Sequence, residues 1–221
     1  VSEDMTAEGL EGRPRPGAGR YPGFDELMRA EAETDYAIRL RDGQSGVAIL
    51  APHGGRIEPG TSEIADAAAG REHTLYAFEG LKSEGNRVLH IASTRFDEPL
   101  GLGVALSARL IVTIHGCAGM REFVCVGSRD PQIRERFQLR LEEGGFSVGD
   151  SLRSALRGHH PDNLCNRSRK GPGVQLEISR GLRLRMLGSL EPGGEMVKTP
   201  FFDAFVAAVR QAITDLESHV S

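Results

Sequence analysis

The sequence predicts an α/β fold: a single domain in which a mixed, largely parallel sheet is flanked by helices. Three observations predict it. Short β-branched, apolar runs alternate with longer segments of helical period. Several of the runs are apolar throughout, as central strands covered on both faces must be. The chain also closes on a long amphipathic stretch whose stripe needs a sheet to pack on. A chain of 221 residues suits one domain, and at this size roughly 70% of the unfolded surface is buried without metal or disulfide staples.

Residues 1–20 carry Gly9, Gly12, Pro14, Pro16, Gly17 and Gly19 with almost no large apolar side chain. Such a segment cannot offset its ordering entropy, so a disordered tail is expected there and a folded domain over 21–221. Phe24, Leu27 and Met28 fall at i, i+3, i+4, a short helix. Strands are expected at 36–40, 46–51, 74–78, 87–92, 109–115, 122–126 and 173–178. Helices are expected at 62–69, capped by Thr61 or Ser62, and at 131–143, where Asp130 is the N-cap and Pro131 the first helical residue. Phe202, Phe205, Val206, Val209, Ile213 and Leu216 mark the last helix, a core-facing stripe rather than a cofactor site.

Composition removes several function classes. There are 27 Lys and Arg against 31 Asp and Glu, a formal charge of −4, which argues against a nucleic-acid coat. Aromatics at 5% leave few platforms for stacking bases. No apolar run approaches the roughly 18 residues of a membrane span. Cys117, Cys125 and Cys165 show no CxxC spacing and read as free thiols of a reducing compartment. With no apolar stretch near residue 1, a cytoplasmic monomer is expected, open to release by lysis.

Chemistry gathers where strands end. Ala51-Pro-His-Gly-Gly-Arg-Ile-Glu follows the run Val47–Leu50, and Leu110–Ile114 ends at once in His115-Gly116-Cys117. In open α/β sheets, sites form outside the carboxyl ends of strands, where loops converge. His53, Glu58 and His115 stand there, and Glu177 lies near the end of a third strand. Two His and one carboxylate form a catalytic zinc set with a position left for water. A second carboxylate then serves as general base and as proton donor to the leaving amine. Residue types leave open which Glu does which, and whether Glu177 instead pairs with Arg180 or Arg183. Cys117 and His90 read as packing and interior residues. The adjacent pair His159-His160 is set aside, and Ser62 and Ser179 lack a His-acid arrangement for a serine triad.

Five segments carry a resemblance: APHGGRIEPGTSEIA (51–65), LHIASTRFDEP (89–99), IHGCAG (114–119), NLCNR (163–167) and GVQLEISRGLR (173–183). In this order they resemble the phage-associated poly-gamma-glutamate hydrolases, zinc-dependent amidohydrolases of compact carboxypeptidase-like fold. The resemblance runs from about Tyr21 to Arg183. It implies Zn2+ on His53, Glu58 and His115, with Glu177 as general base.

Between Asn166 and Arg185 stand Arg167, Arg169, Lys170, Arg180, Arg183 and Arg185 against the single acid Glu177. Guanidinium forks bind carboxylates bidentately, so this excess suits a polyanionic glutamate polymer. Arg167 and Arg180, inside the resembling motifs, and Arg95 are the expected substrate contacts. Asp97 is expected to orient a metal-bound His. The expected activity is zinc-dependent cleavage of gamma-glutamyl amide bonds. The alternatives are a zinc deacylase of a small N-acylglutamate and a non-catalytic phage-related binding module.

Overall fold

The computed structural model describes residues 20–149 and 158–218. The tail expected over residues 1–20 lies, apart from Arg20, outside them. The helices are α1 (Phe24–Ala30), α2 (Thr61–Ala69), α3 (Pro99–Ser107), α4 (Pro131–Glu143), α5 (Arg180–Leu187) and α6 (Pro200–Ser218). The strands are β1 (Tyr36–Arg41), β2 (Val47–Gly55), β3 (Thr74–Gly80), β4 (Leu110–Cys117), β5 (Val124–Gly127), β6 (Val148–Gly149) and β7 (Val174–Ser179). They form one sheet in the order β1-β3-β2-β4-β7-β5-β6. β3, β2, β4 and β7 run parallel to one another, β1 pairs antiparallel with β3, and β5 antiparallel with β7. The mixed, largely parallel α/β sheet is the one expected.

The sheet separates two apolar layers. On one face Val112, Ile114, Leu176 and Ile178 pack with Phe202 and Phe205 of α6. On the other, Leu50, Tyr76 and Phe78 pack with Phe24, Leu27 and Phe96. Side chains alternate across a strand, so the partners of those residues in sequence face the second side. Thr113, His115, Gln175 and Glu177 therefore share one face, and all four are buried. Glu177 is thus the polar half of an alternating strand rather than an acid within a uniformly apolar one.

The N-terminal caps are local. Asp130 accepts from the N–H groups of Gln132 and Ile133, as its place before Pro131 predicted. Glu98 accepts from Leu100 and Gly101 and starts α3, a helix that was not expected. Arg87–Ala92 was expected to be a strand and is not one. Both edges of β3 are already taken, by β1 and β2, and the segment that follows joins neither outer strand of the sheet, β1 or β6. It forms a 3-10 turn (Asn86–Leu89) and then the loop that carries His90. Among the described residues, no helix is long and apolar enough to cross a membrane.

Candidate metal centre

The exit of β2 is bent by its own sequence. Pro52 has no N–H to give a ladder, and the register with β3 shifts between Ala51 and Gly54. His53 sits in that irregularity, 1% exposed. Its Nε2 lies 2.7 Å from the carbonyl oxygen of Ile91. A carbonyl only accepts, so Nε2 carries the hydrogen and Nδ1 presents a lone pair. The carbonyl thus does the orienting job that the sequence reading gave to Asp97.

Glu58 reaches the same point through a pinned turn. Its N–H donates to His53 O at 2.9 Å, and the Thr61 hydroxyl donates to its carbonyl at 2.8 Å. Gly55 makes the turn possible. Its φ of +59° is left-handed, and a Cβ there would lie 2.6 Å from the Gly80 carbonyl oxygen. The Glu58 carboxylate accepts the Gly116 N–H at 2.7 Å through Oε2. Its Oε1 is 3.5 Å from His53 Nδ1, and its Oε2 is 3.9 Å from His115 Nδ1. The two Nδ1 atoms are 3.1 Å apart. His115 Nε2 is buried with no hydrogen-bond partner.

Tetrahedral zinc with ligand bonds of 2.0–2.2 Å separates its ligand atoms by about 3.3–3.5 Å. The 3.1 Å between the two imidazole nitrogens and the 3.5 Å from His53 Nδ1 to Glu58 Oε1 lie near that value, while the 3.9 Å approach of His115 is to the other carboxylate oxygen. The protonation of these side chains fits an ion as well, since a cation needs neutral imidazole and ionised carboxylate. Burial raises the Glu58 carboxyl, but the imidazoles gathered around it, His53 first, outweigh that and hold the group at about 2. Burial, aided by His53, pushes His115 down to about 3, with Glu58 opposing.

A third imidazole stands beside this set. His90 Nε2 is 3.7 Å from Glu58 Oε1, and its ring stacks on that of His53 with centroids 3.7 Å apart and planes at 25°. Atoms of His53, Glu58 and His90 fall within 4.8 Å of one another, a possible ligand triad among the described residues. His115 approaches His53 differently. A ring stacked face to face on His53 aims its nitrogens in a nearly parallel plane rather than at the His53 lone pair. His115 is tilted 59° to His53, and its Nδ1 faces the His53 lone pair. His90, read from sequence as an interior residue, is therefore part of the cluster. The signal was its place in the resembling segment 89–99.

Glu177 is the register partner of His115, on the same face of the sheet. Burial, and then the negative charge of Glu58, push its carboxyl well above the ordinary range, while Arg183 and Gln175 oppose. Burial first and Glu177 second push the Cys117 thiol up to about 12.

Folding sorts the arginines. Arg183 is buried and donates to the carbonyls of Ile178, Pro59 and Cys117, tying the exits of β7, β2 and β4 together. A Cβ on Gly116 would come within 2.6 Å of its guanidinium carbon, which explains the glycine after His115. Arg167, expected to contact substrate, donates instead to the carbonyls of Asp162, Phe96 and Thr94. It grips the backbone on both sides of Arg95. Arg180 is half-buried and paired with Glu191, and Arg185 is paired with Glu122. Arg95 is exposed in the loop that Arg167 holds. Asp97 is corrected too. Its Oδ1 accepts the Phe24 N–H at 2.7 Å and anchors the start of α1, 73 residues away in sequence.

The family model described as poly-gamma-glutamate hydrolase matches residues 21–208. Protein YndL of Bacillus subtilis (strain 168) is 38% identical over 169 residues, 76% of this chain and 67% of that protein. The SPbeta prophage-derived protein YoqZ of the same organism is 35% identical over 200 residues, 90% of this chain and 73% of that one. Among solved structures, a bacteriophage poly-gamma-glutamate hydrolase superposes with a TM-score of 0.86 at 27% identity, over 91% of this chain and 99% of that one. A zinc-free form of YndL superposes with a TM-score of 0.84 at 33% identity, over 90% and 98%. A model match across most of the chain, joined to relatives above 30% identity, shows that this protein belongs to the poly-gamma-glutamate hydrolase family.

Proposed function

We propose that this protein is a zinc-dependent amidohydrolase that cleaves gamma-glutamyl amide bonds in poly-gamma-glutamate. The observation that carries the reading is the meeting of His53 Nδ1, His115 Nδ1 and the Glu58 carboxylate at the strand exits, with Glu177 on the same face. Family membership and the zinc-free form of a relative support it.

His53, Glu58 and His115 would hold the ion. Zinc, when bound, supplies Lewis acidity, polarising a carbonyl and making water a nucleophile at neutral pH. Glu177 moves the proton. Its Oε1 is engaged by Gln175, which leaves Oε2 to take a proton from the attacking water and pass it to the departing nitrogen as the C–N bond breaks. Arg95 and Arg180 bind substrate carboxylates, and Arg167 holds the loop that presents Arg95. The charge pair between Arg180 and Glu191 is exposed, so a polymer carboxylate can displace Glu191 at little cost.

The test is the chain length of poly-gamma-glutamate after incubation with zinc-loaded protein, chelated protein and Glu177→Gln. The expected result is cleavage by the loaded protein alone, with Glu177→Gln slower by about 10²–10⁴-fold. Undiminished cleavage by the chelated protein would overturn the proposal.

A further inference from the structure

Motif NLCNR contains an asparagine to which neither the metal set nor the arginines give a role. Asn163 is 3% exposed and caps the 3-10 turn Leu164–Asn166. Its Oδ1 accepts the Cys165 N–H at 3.1 Å. A backbone N–H only donates, so the carbonyl end of this side chain must face it, and the amide NH2 must face the other way. That NH2 donates to Gln175 Oε1 at 2.8 Å. The orientation of Gln175 follows in turn: with its oxygen engaged, its Nε2 donates to Glu177 Oε1 at 2.9 Å. Gln175 and Glu177 share a face because they are two apart on β7. Asn163, Gln175 and Glu177 are all buried, away from water that would scramble the order.

We propose that Asn163 and Gln175 are positioning residues: a one-way relay of two amides, its direction set by the Cys165 N–H, holds the Glu177 carboxylate by one oxygen and keeps the other for the proton. The proposal rests on the reading of Glu177 as the proton carrier. It also explains why strand β7 has Gln at 175, where an apolar residue would fill the space but leave a buried carboxylate without its donor.

Asn163→Asp tests it. Aspartate keeps the acceptor for Cys165 but has no NH2 for Gln175, so the cap survives and the relay does not. A relay predicts that kcat on poly-gamma-glutamate falls about 10- to 100-fold, as for a displaced catalytic group, with KM and zinc affinity within twofold of wild type. Gln175→Met should cost at least as much, and Asn163→Asp added to it should cost nothing further, because Asn163 acts only through Gln175. The carboxyl band of Glu177, identified by its loss in Glu177→Gln, should shift in the infrared spectrum of Asn163→Asp whether or not the polymer is cleaved. A purely structural cap predicts wild-type kcat and an unshifted band for Asn163→Asp, and multiplied losses in the double variant. Either result would overturn the relay. Full activity of Glu177→Gln would instead remove the role given to Glu177.

Discussion

Two buried histidines, at opposite ends of the parallel strands, live in different company. His73, just before β3, meets the Ser45 hydroxyl at 2.7 Å, and that hydroxyl in turn accepts the Val47 N–H. The charges around it are matched: Arg109 with Glu217, Arg210 with Glu72. His115, at the end of β4, shares one carboxylate with two other imidazoles and has a buried Nε2 without a partner. Both rings are held neutral by burial. The difference teaches how to tell a structural histidine from a functional one. At the amino end each polar group has a partner of its own, and together they fix the chain. At the carboxyl end several donor atoms converge on one place, an arrangement that fits a cation better than it serves the fold.

The largest expected effect separates the two ends by metal binding. His115→Ala should weaken zinc affinity by more than the roughly 10–100-fold that an orienting residue is worth. His90→Ala should stay within that range, because its ring only supports that of His53. His73→Ala should leave affinity unchanged while lowering Tm with and without metal. Competition with a chromophoric chelator measures all three. Equal losses for His90→Ala and His115→Ala would shift the ligand set to the other triad.

A middle-sized effect concerns Arg167. Its hydrogen bonds to three carbonyls make it part of the scaffold, so Arg167→Ala should cost about 2 kcal/mol, which is about 4–8 °C in Tm for a chain of this size. Thermal melts and kinetics together decide the matter. A raised KM with unchanged Tm would return Arg167 to the substrate side.

The smallest effect is a pH slope. Burial, with the charge of Arg210 adding to it and Glu217 and Glu72 opposing, lowers the pKa of His73 in the fold below its unfolded value of about 6.5. The unfolded chain therefore binds the proton more readily. The stability due to neutral His73 is complete above about pH 6.5 and is lost as pH falls from there towards the folded value, at most about 1.4 kcal/mol per pH unit. Melts of wild type and His73→Gln between pH 7 and 5 should show a shallower fall in the variant. Parallel curves would mean that His73 does not carry the slope.

Much of the fold was legible because its signals are local. Asp130-Pro131 announces α4, and the stripe from Phe202 to Leu216 announces α6. Helix α3 was missed because Pro99–Ser107 has no charged residue and so shows no polar face for a period to reveal. At the metal centre, His53, Glu58, His115 and Glu177 could be picked because each follows or ends an apolar run. His90 was passed over because its segment reads as a strand, whereas the chain there leaves the sheet as a 3-10 turn and a loop. The arginines misled for another reason. Composition counts cations, but Arg167 finds Thr94 and Phe96 across 73 and 71 positions of chain.

The sequence by itself determined strands β1 to β5 and β7, the principal helices and the placing of acid and imidazole at strand exits, since period and chain order are properties of neighbours along the chain. Tertiary structure alone decided which nitrogen of His53 is free, that His90 lies on it, that Arg167 and Asp97 hold loops, and that Asn163 reaches Glu177 through Gln175. Each of those depends on a hydrogen bond or ring contact between residues distant in sequence. Such contacts exist only once the sheet has set its strand order and brought β2, β4 and β7 side by side.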